Sequence, residues 1–379
     1  MFKKLIYLLA ILLIGFNLHA QEECLPVKQL KELYNNNSEF RTTINSMFDN
    51  IHALPNGNQN PWKGKTVDDL YDFLNEWFYF LPNTENGLDK ILKFTFLYHK
   101  NPDGMKFVLT EPGLSWTNSF VEERGKFMDS PESATIIKKW LSDNSLSNED
   151  FVLPPKGFDS FNDFFIRDLK PGTRPIHDAT DESILVSPVD GIINMLANEL
   201  ELETEIPTKG RMTMSLNSLL DNSKYAEKFI GGSALTIFLM PNNYHHYHSP
   251  TTGSIVESNE NVGNRLFGMP DLLGMLNNGN IAYNKDYSVF EDFKHGYFII
   301  KTNQYGFVAM IPIGLNTVGS VVFEDEFTDI SDDNPKQVFK GDRLGHFKYG
   351  GSTVLLIFEK GKFNSMTIEQ GQRIGKLKN

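Results

Sequence analysis

The chain contains a single cysteine, Cys24, among 379 residues. An internal disulfide is therefore excluded, and packing and hydrogen bonds must hold the fold. There is no basic excess either, the formal net charge being −12. That balance excludes nucleic-acid binding, which needs clustered Lys and Arg against phosphates. It gives no long-range attraction to an anionic membrane, although a local basic patch is still compatible with it. Internal repeats and low-complexity linkers are missing, which excludes solenoid architectures. Only one long apolar run exists, Leu5 to Phe16, preceded by Lys3-Lys4 and followed by Leu18-His19-Ala20 and an acidic start at Gln21. It falls short of the roughly 18 residues a spanning helix needs. It reads as a cleaved signal peptide over 1–20, in preference to a retained anchor, and predicts a secreted or periplasmic protein.

What is present argues for a thick core, since 30 phenylalanines are too many for a disordered chain. From 21 to 157 the pattern is helical. Thr66 with Asp69 suits a helix N-terminus. Val67, Leu70, Tyr71, Leu74, Trp77, Phe78 and Leu81 then recur on one face, and Pro82 closes the segment. Ser130-Pro131 opens a second helix carrying Ile136, Ile137, Trp140 and Leu141. Asn-rich segments, including Pro55-Asn56-Gly57-Asn58, read as loops. After Pro154-Pro155 the texture changes to short β-rich runs at 183–186, 234–240, 297–302, 307–313, 317–323 and 353–358. The acidic stretch 324–333 reads as a solvated loop. The fold class expected is α+β: a helical N-terminal region over 21–157, then a largely antiparallel β domain over 158–379.

Three segments carry candidate chemistry. Tyr349-Gly350-Gly351-Ser352-Thr353 precedes an apolar strand. It reads as an ordinary turn or, because glycine admits close approach, as a site where Ser352 Oγ attacks the Gly351 carbonyl. Tyr244-His245-His246-Tyr247-His248-Ser249-Pro250 offers a base, a metal ligand pair or surface histidines before a turn. On an extended segment His246 and His248 share one face and His245 takes the other. Ser187-Pro188-Val189-Asp190-Gly191 is a turn whose aspartate bonds its own backbone or orients a histidine.

Taken together, these segments resemble the phosphatidylserine decarboxylase family. Phe161-Asn162-Asp163-Phe164-Phe165-Ile166-Arg167 leads to Lys170-Pro171-Gly172-Thr173-Arg174-Pro175-Ile176. The Ser-Pro-x-Asp-Gly at 187–191 and the Pro241 to Pro250 segment follow in order. Val318-Gly319-Ser320 comes next, then Lys340-Gly341, Gly345, Phe347 and Gly351-Ser352-Thr353. The resemblance implies self-cleavage between Gly351 and Ser352, with Ser352 becoming a covalent pyruvoyl cofactor. It implies His248 as base for that cleavage, Asp190 as its partner, and a protonated His245 as proton donor in decarboxylation. It implies no metal. The substrate expected is phosphatidylserine, with phosphatidylethanolamine and carbon dioxide as products and peripheral membrane contact as an option.

Departures from the pattern open alternatives. His246 stands where membrane-acting relatives usually carry arginine, Asn243 where they often carry Asp, and Asn284-Lys285-Asp286 matches a middle motif weakly. The long helical region resembles the branch containing soluble aromatic amino-acid decarboxylases, so a free amino acid is the alternative substrate. Outside this class stand a zinc hydrolase using His246, His248 and Asp190, and a non-catalytic binding protein. Both predict an unbroken chain. Oligomeric state is left open.

Overall fold

The computed structural model describes residues 22–51, 60–144, 146–198, 200, 203–206, 212–269, 292–316, 320–367 and 370. The expected signal peptide at 1–20, the loop at 55–58, Asn284 to Asp286 and Val318-Gly319 lie outside the described residues.

The helical region comprises α1 (Leu25–Asn36), α2 (Ser38–Asp49), α3 (Val67–Tyr79), α4 (Asp89–Thr95), α5 (Pro102–Leu109) and α6 (Gly113–Met128). The apolar period at 67–81 gives α3. The Thr66 N–H donates to Asp69 Oδ2 at 2.9 Å and closes its first turn. Leu70, Leu74 and Trp77 are buried on its inner face. The helix expected after Ser130-Pro131 begins as a 3₁₀ turn over Pro131–Ile136 and becomes α7 (Ile137–Leu141). Ser133 Oγ bonds back to the Met128 and Ser130 carbonyls, which accompanies the tighter winding. A short helix α8 (Phe161–Phe165) follows, capped by the Ser160 hydroxyl. Among the described residues no helix is long and apolar enough to cross a membrane.

The strands are β1 (Ile192–Asn198), β2 (Glu203–Ile206), β3 (Met212–Ser215), β4 (Ser233–Leu239), β5 (His246–His248), β6 (Gly253–Val262), β7 (His295–Lys301), β8 (Phe307–Leu315), β9 (Val321–Phe323), β10 (Lys336–Val338), β11 (Arg343–Phe347) and β12 (Gly351–Phe358). A seven-stranded sheet runs β1-β4-β12-β8-β7-β6-β10, and a three-stranded sheet runs β5-β11-β9. Every strand pairing in them is antiparallel. The α+β expectation therefore holds.

One strand expectation and one loop expectation need correction. Residues 183–186 form no strand: the Val186 N–H donates to Pro250, and Pro188 just beyond has no N–H for a ladder. The acidic stretch is not uniformly solvated. A 3₁₀ turn over Asp325–Phe327 buries Phe327, and Ile330 is buried nearby. The Ser258 hydroxyl stitches both, donating to Phe327 O and accepting from Ile330 N–H.

β12 lies in the middle of the large sheet, between β4 and β8. Its side chains alternate between two cores. Leu355 and Ile357 join Trp77, Phe94 and Phe120 of the helices in one buried cluster. Val354, Leu356 and Phe358 join Tyr247, Leu344 and Phe347 of the small sheet in another. The molecule thus has three layers: helices, large sheet, small sheet. A strand covered on both faces reads as a continuous apolar run, which explains the texture of 353–358. Helices and sheet share a core, so the boundary near 157 is a change of texture rather than a gap in packing.

Candidate active site

Ser352 is the second residue of β12, opposite Leu239 on β4 and Gly314 on β8. Strand alternation aims its side chain with Val354 and Leu356 toward the small sheet. It is fully buried, and its Oγ has no hydrogen-bond partner. The next hydroxyl differs: Thr353 Oγ1 donates to Ile237 O at 2.9 Å. A buried hydroxyl left unbonded costs about 1–3 kcal/mol, a cost that hydrogen bonding in the fold does not offset at Ser352. Ahead of it Gly350 has φ 147°, a conformation only glycine adopts readily.

The turn before Gly350 is held by the helical layer. The Tyr349 ring packs against Phe161 and Phe165, each 5.2 Å away between centroids. Its N–H donates to Asn162 Oδ1 at 3.2 Å, and its hydroxyl donates to Gly87 O at 3.2 Å. The buried Arg124 guanidinium lies 5.7 Å from the ring centre and donates to the Trp77 and Phe80 carbonyls. Lys348 pairs with Asp129 at 3.0 Å. Sequence reasoning quoted Tyr349 and Asn162 within motifs without a role for either, and missed Arg124 altogether. Only the aromatic run at 161–165 hinted at them.

The three motif histidines occupy distinct environments. His245 is fully buried, its ring 4.0 Å from that of Phe165. Asn243 O accepts from Nδ1 at 2.8 Å, so the proton sits there and Nε2 presents an unbonded lone pair. Burial pushes its pKa down to about 3, with the Arg167 charge adding to the effect. Burial thus favours the neutral form of His245 in the unprocessed chain, against the protonated donor expected from the sequence. Desolvation of an imidazolium outweighs the single carbonyl bond that would favour it.

His248 donates from Nδ1 to Gly341 O at 2.8 Å, and its Nε2 accepts the Tyr244 hydroxyl at 3.1 Å. Burial lowers its pKa, while the Gly341 carbonyl and the Asp190 charge oppose that. Asp190 itself is gripped by Arg174, whose Nη2 donates to Oδ2 at 2.9 Å and whose Nε donates to Oδ1 at 3.1 Å. The same guanidinium reaches Asp150 at 2.8 Å.

The structure therefore does not wire Ser352, His248 and Asp190 into one hydrogen-bonded chain. The Gly341 carbonyl orients His248 where aspartate was expected, because Lys340-Gly341 folds back under the tip of β5. The Lys340 ammonium anchors that turn on the Asp178 and Asp181 carbonyls. Asp190 still stands near, since the His248 N–H donates to Pro188 O at 2.9 Å. The ligand set considered for zinc, His246, His248 and Asp190, is not assembled either, both His248 nitrogens and the Asp190 carboxylate being engaged elsewhere.

A cavity of about 490 Å³ opens between α6 and the sheet beside this turn. Arg124, Lys126, Lys294, Ser320, Lys348 and Tyr349 are among its walls. It takes one wall from the helical region and one from the strand loops, and Ser320 belongs to the late Val-Gly-Ser motif.

An antiparallel sheet roofed by helices thus holds an unbonded serine behind two glycines, opposite a segment of histidines that leads into the facing sheet. Comparison with known proteins gives the family. The family model for phosphatidylserine decarboxylase matches residues 161–376. A phosphatidylserine decarboxylase proenzyme of Clostridium novyi is 34% identical over 278 residues, 71% of this chain and 87% of that protein. A proenzyme of Clostridium perfringens is 33% identical over 272 residues, 68% of this chain and 83% of that one. Proenzyme 2 of Oryza sativa is 35% identical over 242 residues, 63% of this chain and 36% of that longer protein. The chain belongs to the phosphatidylserine decarboxylase family, which makes it a carboxy-lyase. Membership brings with it, in general, self-processing and a pyruvoyl cofactor.

Proposed function

We propose that the chain is a phosphatidylserine decarboxylase whose cofactor arises from Ser352. The observation that carries this reading is the buried, unbonded Ser352 hydroxyl behind Gly350-Gly351, in a chain whose relatives are named proenzymes. Ser352 Oγ loses its proton and attacks the Gly351 carbonyl carbon. The amide C–N bond breaks and an ester forms. Removal of the Ser352 Cα proton then expels the Gly351 carboxylate and leaves dehydroalanine. Water enters, ammonia leaves, and residue 352 ends as the keto-acid cap of the smaller chain.

His248 is the base in this reading. Its Nδ1–H is tied to Gly341, so Nε2 is the accepting atom once it exchanges the Tyr244 hydroxyl for that of Ser352. Asp190 favours the charged imidazolium through space. The pyruvoyl group supplies the sink for the electrons left by departing carbon dioxide. His245 enters that step neutral and takes up a proton before passing one to the substrate Cα.

The cavity beside Tyr349 has Arg124, Lys126, Lys294 and Lys348 against Glu122 and Asp129 on its wall, and this net positive lining suits a substrate carrying phosphate and carboxylate. The N-terminal basic and apolar run supports export, and we place the enzyme outside the cytoplasmic membrane or in the periplasm. The test uses the purified full chain. Intact mass is expected to resolve two chains, the smaller beginning at residue 352, and vesicles containing phosphatidylserine are expected to release carbon dioxide. A single unprocessed chain overturns the processing reading. Release from free aromatic amino acids but not from vesicles overturns the substrate reading alone.

A further inference from the structure

The small sheet carries a second cluster of ligating side chains that the processing reading does not use. His246 on β5 and His346 on β11 are direct cross-strand partners. Glu324 follows β9, and its N–H donates to Leu344 O on β11 at 2.9 Å. Tyr247, Phe347 and Phe323 point into the core, so alternation turns His246, His346 and Glu324 to the opposite face. The ligand atoms of these three residues lie within 4.8 Å of one another.

The His246 tautomer is set. Its Nε2 lies 2.6 Å from Ile166 O, and a carbonyl only accepts, so Nε2 carries the proton. That leaves a lone pair on Nδ1, which is buried and has no hydrogen-bond partner. His246 itself is 4% exposed. An imidazole whose far N–H is held by a backbone carbonyl while the near nitrogen stays free is the outer-shell arrangement of metal-ligating histidines. The His346 ring makes no hydrogen bond among the described residues, so it is available as well.

The cations around the cluster are already engaged by carboxylates or rings. Lys348 pairs with Asp129 at 3.0 Å, and Arg343 binds Glu324 through Nε at 2.7 Å and Asp168 through Nη1 at 2.9 Å. Two carboxylates thus share one guanidinium. Arg167 sits over the Phe151 and Phe164 rings at 3.9 and 4.4 Å. The cluster borders a cleft of about 360 Å³, which leaves room for a water in a fourth position.

We propose that His246, His346 and Glu324 form a binding site for a first-row divalent cation of the zinc type. Two imidazoles and one carboxylate suit such an ion better than calcium or magnesium, which prefer all-oxygen shells. The ion draws one ligand from each of β5, β11 and the end of β9. It therefore clamps the small sheet, and with it the strand that carries His248 and follows His245. The site shares only His246 with the zinc set considered from sequence, and no hydrolytic step is assigned to it.

The test is a metal titration of the full chain after chelator dialysis, using Zn²⁺ for calorimetry and Co²⁺ for its visible absorption bands. One equivalent is expected to bind, with Co²⁺ bands characteristic of nitrogen ligation and a rise in Tm. His346→Ala is expected to weaken binding by at least about tenfold, with a smaller loss for Glu324→Gln. His177→Ala, at an exposed histidine far along the chain, is the control and should bind like the parent. Circular dichroism checks that each variant is folded. Should His346→Ala fail to fold, Glu324→Gln and the Co²⁺ spectrum of the parent chain decide. Absence of stoichiometric binding, or binding indifferent to both substitutions, overturns the proposal.

Discussion

Individual side chains show their purpose by what they leave unbonded. Ser352 and His245 each hold a buried polar atom without a partner, an arrangement that folding alone does not reward. Ser352→Ala is accordingly expected to abolish chain scission, read by intact mass, with no loss of thermal stability, since the hydroxyl makes no hydrogen bond. Asp190 poses the converse case. Its ion pair with Arg174 is partly exposed, the side chains being 41% and 28% accessible, and such pairs contribute about 1 kcal/mol or less. Asp190→Asn should therefore cost less than about 1 kcal/mol in denaturant unfolding. If its charge supports the His248 imidazolium, the same variant slows scission by at least about tenfold in a time course. A scission rate equal to that of the parent would remove Asp190 from the processing machinery.

At the level of elements, the turn between β11 and β12 is clasped by helices rather than by its own sheet. Tyr349 ties it to α8, to α6 through Arg124 and to the Gly87 carbonyl. Tyr349→Ala removes a buried aromatic and is expected to destabilise the precursor by about 3–5 kcal/mol. Tyr349→Phe keeps the ring and loses one hydrogen bond, at a cost of about 1 kcal/mol. Scission should follow the same order, nearly intact in the phenylalanine variant and strongly slowed in the alanine variant. Equal rates in both would mean that the helical clasp does not position the Gly351 carbonyl.

For the molecule as a whole, buried imidazoles set the acid limit. Burial depresses the pKa of His245 to about 3 and those of His246 and His346 to about 4, and it also lowers those of His248 and His295. An unfolded histidine titrates near 6.5, so below that pH the unfolded chain binds more protons than the folded one. Stability is then full above about pH 6.5 and falls steadily as pH drops toward 4 and 3. Urea unfolding of the chelated protein at pH 7.5, 6 and 5 is expected to show a falling midpoint. A flat profile across that range would mean that these histidines are solvated or paired in ways the fold does not show.

The amino-acid order alone determined the class and the succession of a helical region and a β domain. The 67–81 period could only be satisfied by one helix face, and β8 and β12, covered on both sides, betray themselves as unbroken apolar runs. The glycine pair, Ser352 and the histidine segment were legible because they are contiguous. Strand β6 was not, because Ser254, Glu257, Asn259 and Glu260 interrupt its alternation. Contacts between distant segments were decided only by folding. The Gly341 carbonyl orients His248, Arg174 holds Asp190, Tyr349 is gripped by helices, and His346 meets His246 across two strands. The physical reason is range: periodicity and turn chemistry act within a few residues, while hydrogen-bond partners far apart in the chain are chosen by how the layers stack.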